Sequence, residues 1–248
     1  MPKKVCYLYW EKEKISVPQK ETLKEVVKKL FPSWERIVAA QLGGEIVDLN
    51  TEVERDGKVE FFDFLHPEGR RTYLRSLLFV LSYAVEKIFP GRRLKILYSL
   101  GEGLICEIEG VGISPQQLEQ IEEEMRKIIK EDLPFIREVV DWEKAIAIYQ
   151  KQGRKDLVKF FRYWRTPAVT VYRLRDFYDH YYGPLVPSTG YLKNFGFVLV
   201  PPQFVIQLPT GENLERLPTY TFRPKLFATF QEAVHWAEIL AIENVGEL

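Results

Sequence analysis

Ile37-Val38-Ala39-Ala40-Gln41-Leu42-Gly43-Gly44-Glu45-Ile46-Val47-Asp48-Leu49 decides how the front of this 248-residue chain folds. Ile37 to Ala40 is an apolar run of strand length. Gly43-Gly44 supplies a tight turn without steric cost, and Glu45 to Leu49 returns as a second strand. Working outward, Val5 to Trp10 reads as a strand that Glu11-Lys12-Glu13-Lys14 turns back into Ile15 to Val17. Thr22-Leu23-Lys24-Glu25 is a capping box, with Thr22 as N-cap and Glu25 three residues on. Leu23, Val26, Val27 and Leu30 follow at helical spacing until Pro32. Asp56-Gly57 then turns into Val59 to Phe64. The order predicts one helix laid across one mixed sheet. With 11 basic against 12 acidic residues in its first 63, this part has no electrostatic preference.

Beyond it, His66-Pro67-Glu68-Gly69 punctuates the chain and marks a first boundary. A helix is expected from Arg71 to Phe89, buried along Leu74, Leu77, Leu78, Leu81, Val85 and Ile88 and ended by Pro90-Gly91. Strands at Leu94 to Tyr98 and Leu104 to Ile108 flank a Gly101-Glu102-Gly103 turn. Ser114-Pro115-Gln116-Gln117 opens the next helix, with Ser as N-cap and Pro at the first position. Phe135 to Val140 is a strand. Helices at Trp142 to Gln150 and Arg154 to Trp164 are broken by Gly153, and Val169 to Leu174 is a further strand. Asp176 to Gly190 reads as irregular, Phe195 to Val200 and Gln203 to Gln207 as a hairpin, and Pro224 to Asn244 as a last helix.

Composition excludes several classes. Thirty-five basic residues balance 35 acidic ones, against a wholly basic nucleic-acid binder. Two cysteines, Cys6 and Cys106, sit singly in apolar strands and read as small core residues. No apolar run approaches the ~18 residues of a membrane helix. The charged first fourteen residues do not read as a signal peptide, so a cytoplasmic location without membrane contact is expected. No P-loop and no Gly-x-Ser-x-Gly elbow occurs. His66, His180 and His235 are isolated, so neither metal nor catalytic residue is expected.

One segment is electrostatically unusual. Lys144 to Arg175 holds nine basic residues and one acid, Asp156, with aromatic residues between them. Lys151, Arg154, Lys155, Lys159, Arg162 and Arg165 form the candidate polyanion patch, since such mixtures suit phosphate contact and base stacking. Leu157, Phe160, Phe161 and Trp164 fall at helical spacing and read as its core side. A second candidate is the polar, aromatic stretch after Leu174, where Asp176, Asp179, His180 and Tyr182 would border a cleft.

Two stretches resemble a known family. Val38-Ala39-Ala40, Gly43-Gly44-Glu45 and Val47-Asp48-Leu49 resemble the TGS domain, the ubiquitin-like β-grasp module at the front of threonyl-tRNA synthetases. Asp179-His180-Tyr181-Tyr182-Gly183-Pro184-Leu185-Val186-Pro187 resembles the Asp-x-Cys-x-Gly-Pro-His-Val-Pro signature of that synthetase's second additional domain, which carries editing activity. The helix ending Glu86-Lys87-Ile88-Phe89-Pro90 is similar to that domain's opening helix with its His-x-x-x-His pair. The resemblance implies an α+β chain: a TGS-like β-grasp domain over 1–64, an editing-like α/β domain over 65–223, and a helical junction over 224–248. It also implies lost chemistry. The family's two helix histidines fall on Arg75 and Phe79, and its signature Cys and His on Tyr181 and Leu185. An apolar ring and an isobutyl group cannot coordinate zinc and Arg75 would repel it, so aminoacyl-tRNA deacylation is not carried over, and Arg75, Phe79, Tyr181 and Leu185 are expected to border a degenerate cleft.

A second relative is similar at the junction. Some bacterial uridine kinase–like proteins join the same two domains to a P-loop kinase through a stretch resembling Lys225 to Glu232, Trp236 to Leu240 and Val245 to Leu248. That likeness implies a kinase partner in the same natural chain, holding the ATP and magnesium, and no cofactor within residues 1–248. The leading expectation is therefore a non-catalytic regulatory or ligand-binding region of such a protein. The alternative is an RNA-binding module that keeps affinity for a tRNA acceptor stem. A residual hydrolase using Asp176, Asp179 and His180 is the third reading, supported by proximity alone.

Overall fold

A computed structural model describes residues 5–100 and 103–209, with scattered positions from 216 to 236. The expected Gly101-Glu102 turn and most of the expected helix from Pro224 lie outside the described residues. The chain is mixed α+β. It groups into two compact units, each assembled from three separate stretches.

The first unit comprises Met1–Ala84, Glu122–Arg137 and Tyr172–Lys193. Its front is a five-stranded sheet of β1 (Val5–Trp10), β2 (Glu13–Pro18), β3 (Ile37–Leu42), β4 (Glu45–Val47) and β5 (Gly57–Asp63), in the order β2-β1-β5-β3-β4. β1 pairs with β5 in parallel, and the other pairs are antiparallel. Alternation along β1 sends Cys6 and Leu8 inward and Tyr7 and Tyr9 outward. Helix α1 (Leu23–Leu30) forms as its capping box predicts: the Glu25 amide donates to Thr22 Oγ1 (3.4 Å), and the Thr22 amide donates to Glu25 Oε2 (3.1 Å). Its Leu23, Val26 and Val27 share one core with Leu8, Val17, Ala40 and Val59. Gly43 and Gly44 both have positive φ, which closes the β3–β4 hairpin.

β4 ends at Val47, two residues before the expected Leu49, because Asp48 turns the chain. Its Oδ1 accepts the Asn50 amide (3.0 Å) and its carbonyl accepts the Thr51 amide (3.2 Å). Asp48 is 8% exposed. Burial pushes its carboxyl above the usual range, against the Arg137 charge and the local hydrogen bonds. A raised folded value means that the native state binds the proton more tightly than the unfolded chain. The ionised carboxylate therefore costs stability at neutral pH, and that cost disappears as pH falls. Asp48→Asn keeps the acceptor oxygen and is expected to raise the urea midpoint at pH 7, with the advantage vanishing near pH 3. A variant less stable than the parent at pH 7 would show that the Arg137 attraction dominates.

Helix α2 (Pro67–Ile88) starts four residues before the expected Arg71. His66 acts as its cap, with Nδ1 accepting the Glu68 amide (3.2 Å) and the carbonyl accepting the Arg70 amide (2.9 Å). Its buried face is wider than the predicted stripe and includes Phe79, Val80, Tyr83 and Ala84, the pattern of a helix enclosed nearly all round.

The second unit comprises Val85–Ile121, Glu138–Val171 and Asn194–Leu248. β6 (Leu94–Leu100), β7 (Gly103–Ile108), β11 (Gly196–Val200) and β12 (Gln203–Gln207) form an antiparallel sheet ordered β11-β12-β7-β6. Cys106 lies inside it, and burial pushes its thiol up to about 12, so it is inert at neutral pH. Helix α3 (Pro115–Lys130) has its predicted box, Ser114 Oγ accepting the Gln117 amide (3.2 Å). Three further strands are ordered β10-β9-β8: β8 (Ile136–Val140) and β9 (Val169–Leu174), each running across a boundary of the two units, and β10 (Phe177–His180), which belongs to the first. β10 corrects the expectation of an irregular 176–190. Arg175, with φ of 57°, makes a tight turn, and Phe177 and Asp179 alternate inward. Helices α4 (Trp142–Lys151) and α5 (Lys155–Tyr163) form a hairpin about Gly153, whose φ is 70°.

Candidate nucleic-acid interface

The α4–α5 hairpin carries the charged patch. Tyr149 and Phe161 stack at 5.8 Å on its buried side. Lys155, Val158, Lys159 and Arg162 recur at helical spacing on another face of α5, so they share one surface, and Arg165 follows two residues past its end. With Gln150, Gly153 and Tyr163 they line a cavity of about 840 Å³ that has no acidic wall. Among the described residues no acid lies within ion-pair distance of Lys155 or Arg162. Tyr163 is 67% exposed and Trp164 is 39% exposed. Trp164 is thus not the core residue that its spacing suggested: α5 ends at Tyr163, so the ring leaves the helical register. Arg165 lies over the Trp142 ring at 5.3 Å, a cation–π contact that fixes its charge beside the cavity.

The structure rearranges the sequence patch. Arg154 is engaged with Asp156, through Nε to Oδ1 (3.1 Å) and a terminal nitrogen to Oδ2 (3.0 Å), and Arg93 approaches the same carboxylate at 3.5 Å. Burial pushes the Asp156 carboxyl up, but the hydrogen bonds and charge of Arg154, with Arg93 behind them, hold it below the usual range. These groups, with Arg92 and Glu109, line a second cavity of about 380 Å³ that shares Lys155 and Lys159 with the first. Lys151 lines neither cavity. Arg173 and Arg175 belong to the first unit, where Arg175 pairs with Glu131. Sequence reading missed Arg92 and Arg93, although their doublet after Pro90-Gly91 was a signal.

In the first unit, the four positions of the editing resemblance come close together. Phe79 and Leu185 are fully buried. The Phe79 ring contacts Phe135 (5.4 Å), Phe177 (5.4 Å) and Tyr181 (6.0 Å). Arg75 Nε donates to the Pro184 carbonyl (3.1 Å), and its guanidinium carbon lies 3.0 Å from where a Cβ on Gly183 would stand. With φ of 106°, Gly183 is the residue type that this turn allows. Tyr172 donates to the Gly183 carbonyl (3.2 Å), and Ser76 Oγ accepts the Val186 amide (2.8 Å). Burial pushes the Tyr172 phenol up to about 12, helped by the Asp48 charge, so it remains a donor at neutral pH. The arrangement packs and pins the turn. Of Asp176, Asp179, His180 and Tyr182, only the rings of His180 and Tyr182 are brought together, edge to face at 4.7 Å; Asp176 is exposed in the turn, strand alternation sends Asp179 and His180 to opposite faces, and Tyr182 is 65% exposed. The buried Asp179 carboxylate accepts the His180 amide (2.9 Å).

The class that these features fit is threonyl-tRNA synthetase-like: an α+β region similar to part of threonine–tRNA ligases. The enzyme of Carboxydothermus hydrogenoformans is 30% identical over 217 residues, covering 86% of this chain and 34% of the relative. That of Desulforamulus reducens is 36% identical over 176 residues, 70% of this chain and 28% of the relative. The Rubrobacter xylanophilus ligase is 35% identical over 185 residues, 74% and 29% respectively. The chain thus spans about a third of the length of the curated relatives it matches. No protein-family model matches it. No helix among the described residues is long and apolar enough to cross a membrane.

Proposed function

We propose that this chain is a tRNA-binding module related to threonyl-tRNA synthetases that has kept the scaffold of an editing domain without its chemistry. The observation that carries this reading is the acid-free cavity beside α5, with four cationic side chains and an exposed tyrosine. Relatives that act on tRNA support it. In the same proposal residues 1–64 are the TGS-like β-grasp domain, supported by the order β2-β1-β5-β3-β4 with α1 on the sheet. Residues 65–223 are the editing-like domain, its metal positions taken by Arg75, Phe79, Tyr181 and Leu185. A P-loop kinase later in the natural chain, with its ATP and magnesium, rests on the likeness of 225–248 alone. The relatives named above are ligases, so RNA binding stands ahead of it.

The test is titration of labelled tRNA with the full chain at 50 and 200 mM salt. Four phosphate contacts predict a logarithmic salt slope of about −3 and a loss of about 50- to 150-fold across that range. Lys155→Ala with Arg162→Ala should bring the slope to about half that value. Failure of micromolar protein to shift tRNA at 50 mM salt would refute the reading.

A further inference from the structure

Resting on that reading, we infer that the surface takes a single-stranded RNA segment, one base of which enters the larger cavity against Tyr163 while its phosphates meet the charged row on α5. Three features carry this. First, the binding surface is concave. A recess of about 840 Å³ falls within the size range of small-molecule and nucleotide pockets. A duplex presents its phosphates on a convex surface and keeps its base faces stacked, so it can touch the rim but cannot fill the recess. An unpaired nucleotide can turn its base inward.

Second, the lining divides by chemistry. Lys155, Lys159, Arg162 and Arg165 supply charge, whereas Val158 and Tyr163 supply an apolar edge and a ring. This is the pairing of cations with a stacking face that sequence-tolerant single-strand binders use. Tyr163, at 67% exposure, has a ring face to offer. Lys155, Lys159 and Arg162 stand about one helical turn apart, so they form a row along which a backbone can run.

Third, the neighbouring smaller cavity has the acids Glu86, Glu109 and Asp156 in its wall, unlike the larger one. Its Arg154 and Arg93 are held on Asp156, and Arg93 also lies 3.7 Å from Glu109. Arg162 and Arg165, with no acid within ion-pair distance among the described residues, line only the cavity beside Tyr163.

The experiment is fluorescence anisotropy with the full chain, an unstructured RNA octamer and a blunt RNA duplex of the same length, at 50 mM salt. The single strand is expected to bind at least tenfold more tightly. Tyr163→Ala should weaken it about tenfold or more, as loss of one base–ring stack does. Tyr163→Phe should restore it, and Tyr9→Ala, on β1, should leave it unchanged. Equal binding of duplex and single strand with a silent Tyr163→Ala overturns the inference and leaves RNA binding intact. Competition by a free nucleoside monophosphate as strong as by the octamer overturns the strand assignment. If neither RNA nor tRNA binds, the underlying reading falls and this one with it.

Discussion

Replacement of Phe79 by alanine is expected to cost about 3–5 kcal/mol of unfolding free energy, the range for an aromatic ring deleted from a closed core. The side chain is fully buried and meets three other rings, two of them edge-on at 5.4 Å. Each such pair adds about 0.5–1.5 kcal/mol beyond burial. The neighbours come from different parts of the chain, Phe135 before β8 and Phe177 at the start of β10, so the space cannot collapse around one flexible loop. Urea unfolding should show a lower midpoint at an unchanged slope. A loss below about 1 kcal/mol, the scale of a well-tolerated hydrophobic swap, would mean that this region is not closed. The result bears on chemistry as well. A position that contributes this much as a hydrocarbon is a packing position, and an editing-type ligand placed there would have to displace that packing.

Gly69→Ala is expected to be the second most damaging change. A Cβ at Gly69 would stand 1.8 Å from the Asp63 carbonyl oxygen, 2.7 Å from its carbon and 3.1 Å from a Val38 methyl. The obstacle is backbone at the end of β5, and the same carbonyl accepts the His66 amide (3.2 Å). Neither partner can move without loosening the start of α2. The cost should reach or exceed the upper end of the ~1–3 kcal/mol that overpacking brings. The sign makes this a sharp test, because Gly→Ala inside an unobstructed helix stabilises by about 1 kcal/mol. Gly112→Ala is the control: nothing lies within 4 Å of its Cβ position, so it should be neutral or gain about 0.4–1 kcal/mol. If Gly69→Ala behaves like Gly112→Ala, the close approach at the β5–α2 joint is wrong.

Local signals were legible in the sequence. Thr22 with Glu25 and Ser114 with Gln117 are side chains that bond backbone within the same turn, so their spacing alone identifies a helix start. The start of α2 was not legible, because histidine is not among the preferred capping residues and His66 does the capping. β10 was hidden because one of its inward residues is Asp179, and a buried carboxylate reads as loop in any hydropathy pattern. The candidate site was half legible. A run of charge along the chain identified α5 but not which charges are available. Asp156 takes Arg154, Arg173 and Arg175 lie in the other unit, and Arg93 reaches the same carboxylate from about sixty residues upstream. Such neutralisation is a spatial fact that counting along the sequence cannot show.

The threading of the chain has a consequence for inheritance. Each compact unit is built from three stretches that alternate with the three of the other. No single cut frees either unit as a continuous piece, and a recombination breakpoint between Val85 and Lys193 would leave both with missing segments. The stretch from Val85 to Lys193 can therefore be exchanged between genes only as one piece, and only cuts nearer the chain's ends spare one unit.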